Sequence, residues 1–335
     1  MKKLLLFTLV AIVFTACSTN EAQNSASQIP VAPNELYVSF DEEDTRIQLG
    51  DDGRPVWTAG DLVSVFYRSN SNDKYQFTGE TGDHDGSIQL VEQGTTTQAT
   101  TKIVAVYPYH ENYWLNCESG YVEAFLPAEQ TYVQDSYGVG SSIMVSASDY
   151  KQLSFKNVCG WLKLQFTGKG NVSKIALRGN NGEQIIGKIY IKPQDATCVL
   201  VSNMDELNKE ESSDPDSFAI NCENLHRVVG EWDEYEIDDI PVVDDTPLTE
   251  VVLNCGKSVA LNIEKPTSFY IALPPQIFEK GFTVTIYDDY DSTLNVSTEN
   301  KITIKRNHIL PMASIDIETP TSNNQMDYTD GGTMW

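Results

Sequence analysis

Alternation of apolar and polar residues with a period of two runs through most of the chain, and it restricts the fold to sheets. Leu36-Tyr37-Val38-Ser39-Phe40, Leu62-Val63-Ser64-Val65-Phe66 and Ile103-Val104-Ala105-Val106-Tyr107 are strand-like and rich in β-branched and aromatic residues. Asp51-Asp52-Gly53, Ser69 to Asp73 and Thr78 to Gly86 separate them as turn segments. Trp161 to Phe166 alternates strictly, and Val172 to Arg178 nearly so, followed by the hairpin signal Asn181-Gly182. Further strands are expected at Ile185–Ile191, Thr197–Val201, Val251–Cys255, Val259–Ile263, Phe269–Leu273, Phe282–Tyr287, Lys301–Lys305 and Ile309–Ile317. No dozen residues carry a capped 3.6-residue period, so nothing supplies the crossover helices of a parallel α/β sheet. The expectation is a mainly β protein built as sandwiches, and 335 residues suggest two domains.

The N-terminus differs from the rest. Lys2-Lys3 precedes Leu4 to Phe14, eleven residues in which only Thr8 is polar, too short for a membrane-spanning helix and suited to a signal peptide. It ends in Phe14-Thr15-Ala16-Cys17, which resembles the lipobox of bacterial lipoproteins. That resemblance makes residues 1–16 the signal and Cys17 a diacylated first residue, held in a membrane by its acyl chains. Residues 17–35 are small, polar and Pro-containing, and read as a flexible tether.

The composition excludes several functions. With 48 acidic and 23 basic residues the chain carries −25, which argues against a nucleic-acid surface and against a basic patch for anionic lipid. Residues 203–245 hold 15 acidic and 2 basic side chains, and read as a solvated insertion. Neither that segment, nor Asp288-Asp289-Tyr290-Asp291, nor Asp83-His84-Asp85-Gly86 has calcium-loop spacing, and the last two read as hairpin turns. No Cys/His metal spacing occurs, and no cofactor is implied. Cys117, Cys159, Cys198, Cys222 and Cys255 are an odd set with no C-x-x-C pair, so buried small apolar residues are expected rather than a disulfide framework. No nucleophile elbow, zincin helix or P-loop occurs, and acidic pairs are too common to single one out. Catalytic residues are therefore none. Tyr113 and Trp114, beside Tyr107-Pro108-Tyr109, are the candidates for an aromatic glycan-binding surface, against the alternative that they pack a core.

Several segments in order resemble the fimbrillin family, two-domain lipoprotein precursors of the type V pili of anaerobic bacteria. Trp57-Thr58-Ala59-Gly60-Asp61 is similar to its W-x-x-G-D opening, and Tyr107-Pro108-Tyr109 to its Y-P-Y segment. Leu126-Pro127-Ala128-Glu129-Gln130 resembles L-P-x-x-Q, and Ser154 to Gly160 the F-K-N-x-x-G entry to the second domain. Phe269 to Pro275, Lys280-Gly281-Phe282 and Arg306-Asn307-His308 resemble the closing part. The resemblance spans residues 36 to 317. It implies two tandem transthyretin-like β-sandwich domains, at 36–150 and 151–317, and a structural or adhesive pilus subunit at the outer membrane that is no enzyme.

It further implies that a trypsin-like protease removes an N-terminal strand, and that a strand from another pilus subunit fills the groove. Arg46 is the candidate cleavage site, because Pro55 blocks cutting after Arg54. Host or bacterial surface ligands are further candidate partners. The tail, residues 318–335, reads either as a polar extension or as a donor strand with Met326 and Tyr328 in partial alternation. The rival readings are an outer-membrane glycan-binding lipoprotein and, behind it, a secreted hydrolase.

Overall fold

The computed structural model describes residues 31–41, 56–117, 120–138, 140–200, 249–317 and 326–327. Among them every regular element is a strand. The first eleven are β1 (Glu35–Phe40), β2 (Leu62–Ser69), β3 (Asp73–Phe77), β4 (Asp85–Glu92), β5 (Ala99–Tyr107), β6 (Trp114–Leu115), β7 (Val122–Leu126), β8 (Glu129–Val133), β9 (Ser136–Tyr137), β10 (Met144–Ser148) and β11 (Gln152–Asn157). There follow β12 (Gly160–Gly168), β13 (Asn171–Gly179), β14 (Gly187–Lys192), β15 (Thr197–Leu200), β16 (Glu250–Ala260), β17 (Thr267–Leu273), β18 (Gln276–Phe278) and β19 (Phe282–Tyr287). The last are β20 (Thr293–Thr298), β21 (Ile302–Ile304), β22 (Ile309–Pro311), β23 (Ile315–Ile317) and β24 (Met326–Asp327).

The first sheet closes on itself in the order β1-β11-β10-β5-β2-β3-β4, with β4 returning to β1. Closure removes the unpaired edges an open sheet would expose. Its alternating strands send one set of side chains inward: Leu36, Val38, Val63, Val65, Ile103, Ala105, Tyr107, Leu153 and Phe155 surround Trp57. The opposite set, Phe66, Val104, Val106 and Val145, faces outward into a second core.

That second core is shared. Trp161 of β12 and Tyr270 and Ala272 of β17 enter it, with Val122 and Ala124 of β7 and Ile189 and Ile191 of β14. The other face of β12 and β17 (Leu162, Leu164, Phe166, Phe269, Ile271, Leu273) packs a third core against β13, β16, β19 and β20. The β12–β17 layer is thus covered on both sides, which is why β17 is almost continuously apolar.

Pairing crosses the boundary expected near residue 150: β7 is antiparallel to β14, and β8 is parallel to β16.

Three local expectations are corrected. Asn181-Gly182 does form a turn, with Gly182 at φ 74°, but it makes no hairpin. β13 pairs with β16 and β19, while β14 joins β7 and β15, so the turn carries the chain between sheets. Val251–Cys255 and Val259–Ile263 are one strand, β16, which ends at Ala260. Its register against β13 slips between Val172 and Lys174, and Gly256 at φ 60° lies within the extra residues of that bulge. The run Ile309–Ile317 divides into β22 and β23, each parallel to β12.

Candidate functional site

β1 occupies an unusual place. It lies between β11, parallel, and β4, antiparallel, and neither strand is its neighbour in sequence. No tight turn ties it to either partner, so the sheet holds it by non-covalent contacts alone. The register sets Leu36 opposite Ile88, Val38 opposite Leu153 and Gly86, and Phe40 opposite Phe155. Leu36 and Val38 are fully buried, and Phe40 is half-buried with its ring stacked on Trp57 at 4.8 Å. Burying an aliphatic side chain of this size contributes about 1.5–3 kcal/mol.

Polar contacts fasten both ends. The Tyr75 hydroxyl donates to the Pro33 carbonyl at 2.6 Å, and the Leu90 N–H to the Asn34 carbonyl at 2.9 Å. At the far end the Asp41 N–H donates to the Phe155 carbonyl at 2.9 Å, and its carboxylate lies 3.7 Å from Lys156 Nζ. On the solvent side Tyr37 bonds Asp85, which holds its hydroxyl above the ordinary pKa of 10.0. Tyr75 was not singled out from sequence, and Lys156 was named only within the F-K-N segment, since nothing local marks a residue that anchors a strand over 40 or 100 positions away.

The floor beneath β1 is also anchored from outside β1. The Trp57 N–H donates to the Asp83 carbonyl at 2.7 Å, and its carbonyl accepts from the Gly82 N–H at 2.9 Å. Phe77, Tyr107 and Phe155 pack round its ring at 5.2, 5.2 and 5.5 Å. The turn that follows has Gly60 at φ 88°, and the Asp61 carboxylate accepts the Thr58 N–H at 2.8 Å. A residue with a Cβ is disfavoured at that φ, and a short acid caps the turn, which accounts for the Gly-Asp pair. Burial pushes the Asp61 carboxyl above its usual range against the hydrogen bonds from Thr58 and Tyr107.

The remaining motif residues build junctions between layers. Buried Gln130 donates to the Ala272 carbonyl at 2.8 Å and accepts the Ala272 N–H at 2.9 Å, joining Leu-Pro-Ala-Glu-Gln to the segment ending Leu273-Pro274-Pro275. Asn157 donates to the Asn307 side-chain oxygen at 3.2 Å, and Arg306 to the Asn157 carbonyl at 3.0 Å, so two segments 150 positions apart meet in the interior.

Of the aromatic candidates, Tyr113 is only 5 % exposed and belongs to the second core, with its hydroxyl's pKa raised by burial, so it offers no platform. Trp114 is half-buried on β6. Among the described residues, another carboxyl with a raised pKa, Asp73, is desolvated and accepts from the Ser71 hydroxyl at 2.6 Å and the Gly94 N–H at 2.9 Å, which makes it a turn anchor. Cys159 and Cys255 are buried free thiols, and burial pushes them up to about 11 and about 12. Among the described residues no three His, Cys, Asp or Glu side chains are grouped to hold a metal ion. Cys17, Arg46, the acidic segment 203–245 and most of the tail lie outside the described residues. Met326–Asp327 pairs parallel with Val296–Ser297 of β20.

No family profile and no curated protein matches the chain. Solved structures align with much of it at low identity and with TM-scores below 0.5. A candidate cell adhesion protein from Bacteroides ovatus is 14 % identical, with a TM-score of 0.48, covering 87 % of this chain and 94 % of the other. A fimbrial protein from Bacteroides ovatus is 10 % identical, with a TM-score of 0.32, covering 86 % of this chain and 51 % of the other. The tip fimbrial protein Mfa3 from Porphyromonas gingivalis is 9 % identical, with a TM-score of 0.31, covering 83 % and 94 %.

Proposed function

We propose that the protein is a structural or adhesive subunit of a cell-surface pilus, assembled by exchange of β1 for a strand of the next subunit. The observation that carries this reading is the placement of β1: a fully paired, apolar-faced strand with no hairpin to either neighbour. Arg46 lies in the connection between β1 and Trp57, so a cut there frees β1 from the chain. Losing β1 strips β4 and β11 of their backbone partners and uncovers the apolar floor, and an incoming strand restores both. The precursor is lipidated at Cys17 and tethered at the outer membrane before assembly. Its role is mechanical and involves no catalysis.

Locking β1 in place tests this. In the variant Tyr37→Cys/Ser87→Cys, the new thiols sit on directly opposed residues of an antiparallel pair, whose Cα spacing of about 4.5–5.5 Å suits a disulfide. Oxidised subunits, cut after Arg46, keep β1 and take up no added peptide of residues 33–41, and a reductant restores the uptake. Equal uptake of the peptide by the locked and reduced forms refutes strand exchange at β1.

A further inference from the structure

The inward side of β1 has an order: two aliphatic residues, Leu36 and Val38, then the ring of Phe40; the acid Asp41 follows just past the end of the strand. Each has a distinct seat. Leu36 lies against the β4 side, opposite Ile88. Val38 is opposite Leu153 and Gly86, and the Phe77 ring covers Gly86 so closely that a Cβ there would meet it at 2.8 Å. That leaves a compact seat, matched by a branched aliphatic side chain. The third seat is wider and flat-floored, since Phe40 and Trp57 stack with an interplanar angle of 18°. Beyond it Lys156 faces Asp41 and also reaches the Gln194 carbonyl at 3.5 Å. These seats differ from one end to the other, so they define a direction as well as a pattern.

We infer that the groove left by β1 selects its incoming strand by the order aliphatic-x-aliphatic-x-aromatic-acid, running parallel to β11. This rests on the exchange reading above and names the partner's chemistry: an extended segment of a different polypeptide with that pattern. The chain's own tail fits poorly. Aligned on its aromatic residue, it reads Asn324-Gln325-Met326-Asp327-Tyr328-Thr329, which sets an amide in the first seat and no acid beside Lys156. A buried amide without a partner is costly, and the ion pair is lost. The groove therefore discriminates against residues 324–329 of an identical copy as donor.

The test uses the mature chain cut after Arg46, with the cut verified by mass. If trypsin leaves Arg46 intact, residues 44–50 are replaced by a site for a sequence-specific protease. A fluorescent synthetic peptide with the sequence of residues 33–41 is exchanged into the cut chain and followed by anisotropy. Replacing its phenylalanine by alanine weakens binding about tenfold or more. Reversing the residue order weakens it about as much, because the ring then meets the wrong seat. Replacing its aspartate by alanine costs about two- to threefold, and that difference fades at high salt. A peptide of residues 322–332 binds about tenfold more weakly than the residue 33–41 peptide. Equal binding of the reversed, alanine-substituted or tail peptides overturns the selection order while leaving strand exchange standing. Failure of every peptide to enter the cut chain, with β1 shown by mass not to dissociate, overturns the exchange reading itself.

Discussion

Leu36→Ala is the sharpest probe of how β1 is held. Leu36 is 1 % exposed and sits opposite Ile88 inside the closed sheet. The substitution removes three buried carbons, about 2.4 kcal/mol of transfer free energy at about 0.8 kcal/mol each. The cavity left behind raises the cost toward about 3 kcal/mol, since the surrounding strands cannot collapse freely. Tyr37→Ala, one position along and facing solvent at 40 % exposure, costs under about 1 kcal/mol. Urea denaturation of the uncut chain, with far-UV and tryptophan signals in parallel, measures both. In the chain cut after Arg46 the same 3 kcal/mol loosens β1 by about two orders of magnitude, so its displacement by a donor peptide is favoured correspondingly. Once β1 has been displaced, the substitution has no effect on polymer stability. If Leu36→Ala costs no more than Tyr37→Ala, or weakens assembled polymer as much as it weakens the uncut subunit, the reasoning is wrong.

Other outcomes follow from the same geometry. Gln130→Leu strands the buried N–H and carbonyl of Ala272 and lowers stability by about 2–4 kcal/mol in chemical denaturation; a neutral effect means the junction is wrongly assigned. Gly160→Ala drives a Cβ into the Lys305 carbonyl, which a flexible side chain cannot relieve, so about 2 kcal/mol or more is lost, read as a drop in Tm. Asp61 and Asp73 have pKa values raised in the fold, so over that window the folded protein holds protons that the unfolded chain has lost. Their contribution favours folding below about pH 3.8 and declines as pH rises through the raised values; Asp61→Asn with Asp73→Asn removes that decline in unfolding midpoints from pH 3.5 to 6, and an unchanged slope contradicts the assignment.

Much of this architecture was legible because burial alternates as the residues do. Leu36 and Val38, Val63 and Val65, and Leu162, Leu164 and Phe166 all face cores as their period required. β3 was not legible, because Asp73-Lys74-Tyr75-Gln76-Phe77 has only two apolar side chains, and Asp73 is buried through hydrogen bonds rather than by apolarity. The turn at Asn181-Gly182 was visible, but a turn's local chemistry does not say which sheet the next strand will join. Long-range parallel pairs were beyond reach for the same reason: the pairing of Gln130 with Leu253 leaves no local trace. Among the site residues, Trp57 stood out as a large apolar anchor, whereas Lys156, although within the F-K-N segment, carried no local sign of its pairing with Asp41. Tyr113 packs a core, the alternative reading of its aromatic cluster, because aromatic side chains dominate sandwich interiors.

The most direct measurement is the N-terminal residue and intact mass of the protein recovered from assembled cell-surface polymer. Strand exchange through β1 predicts a chain beginning at Ile47, with residues up to Arg46 and any lipid on Cys17 gone. A polymer built of chains that still begin at Cys17 and retain β1 contradicts it.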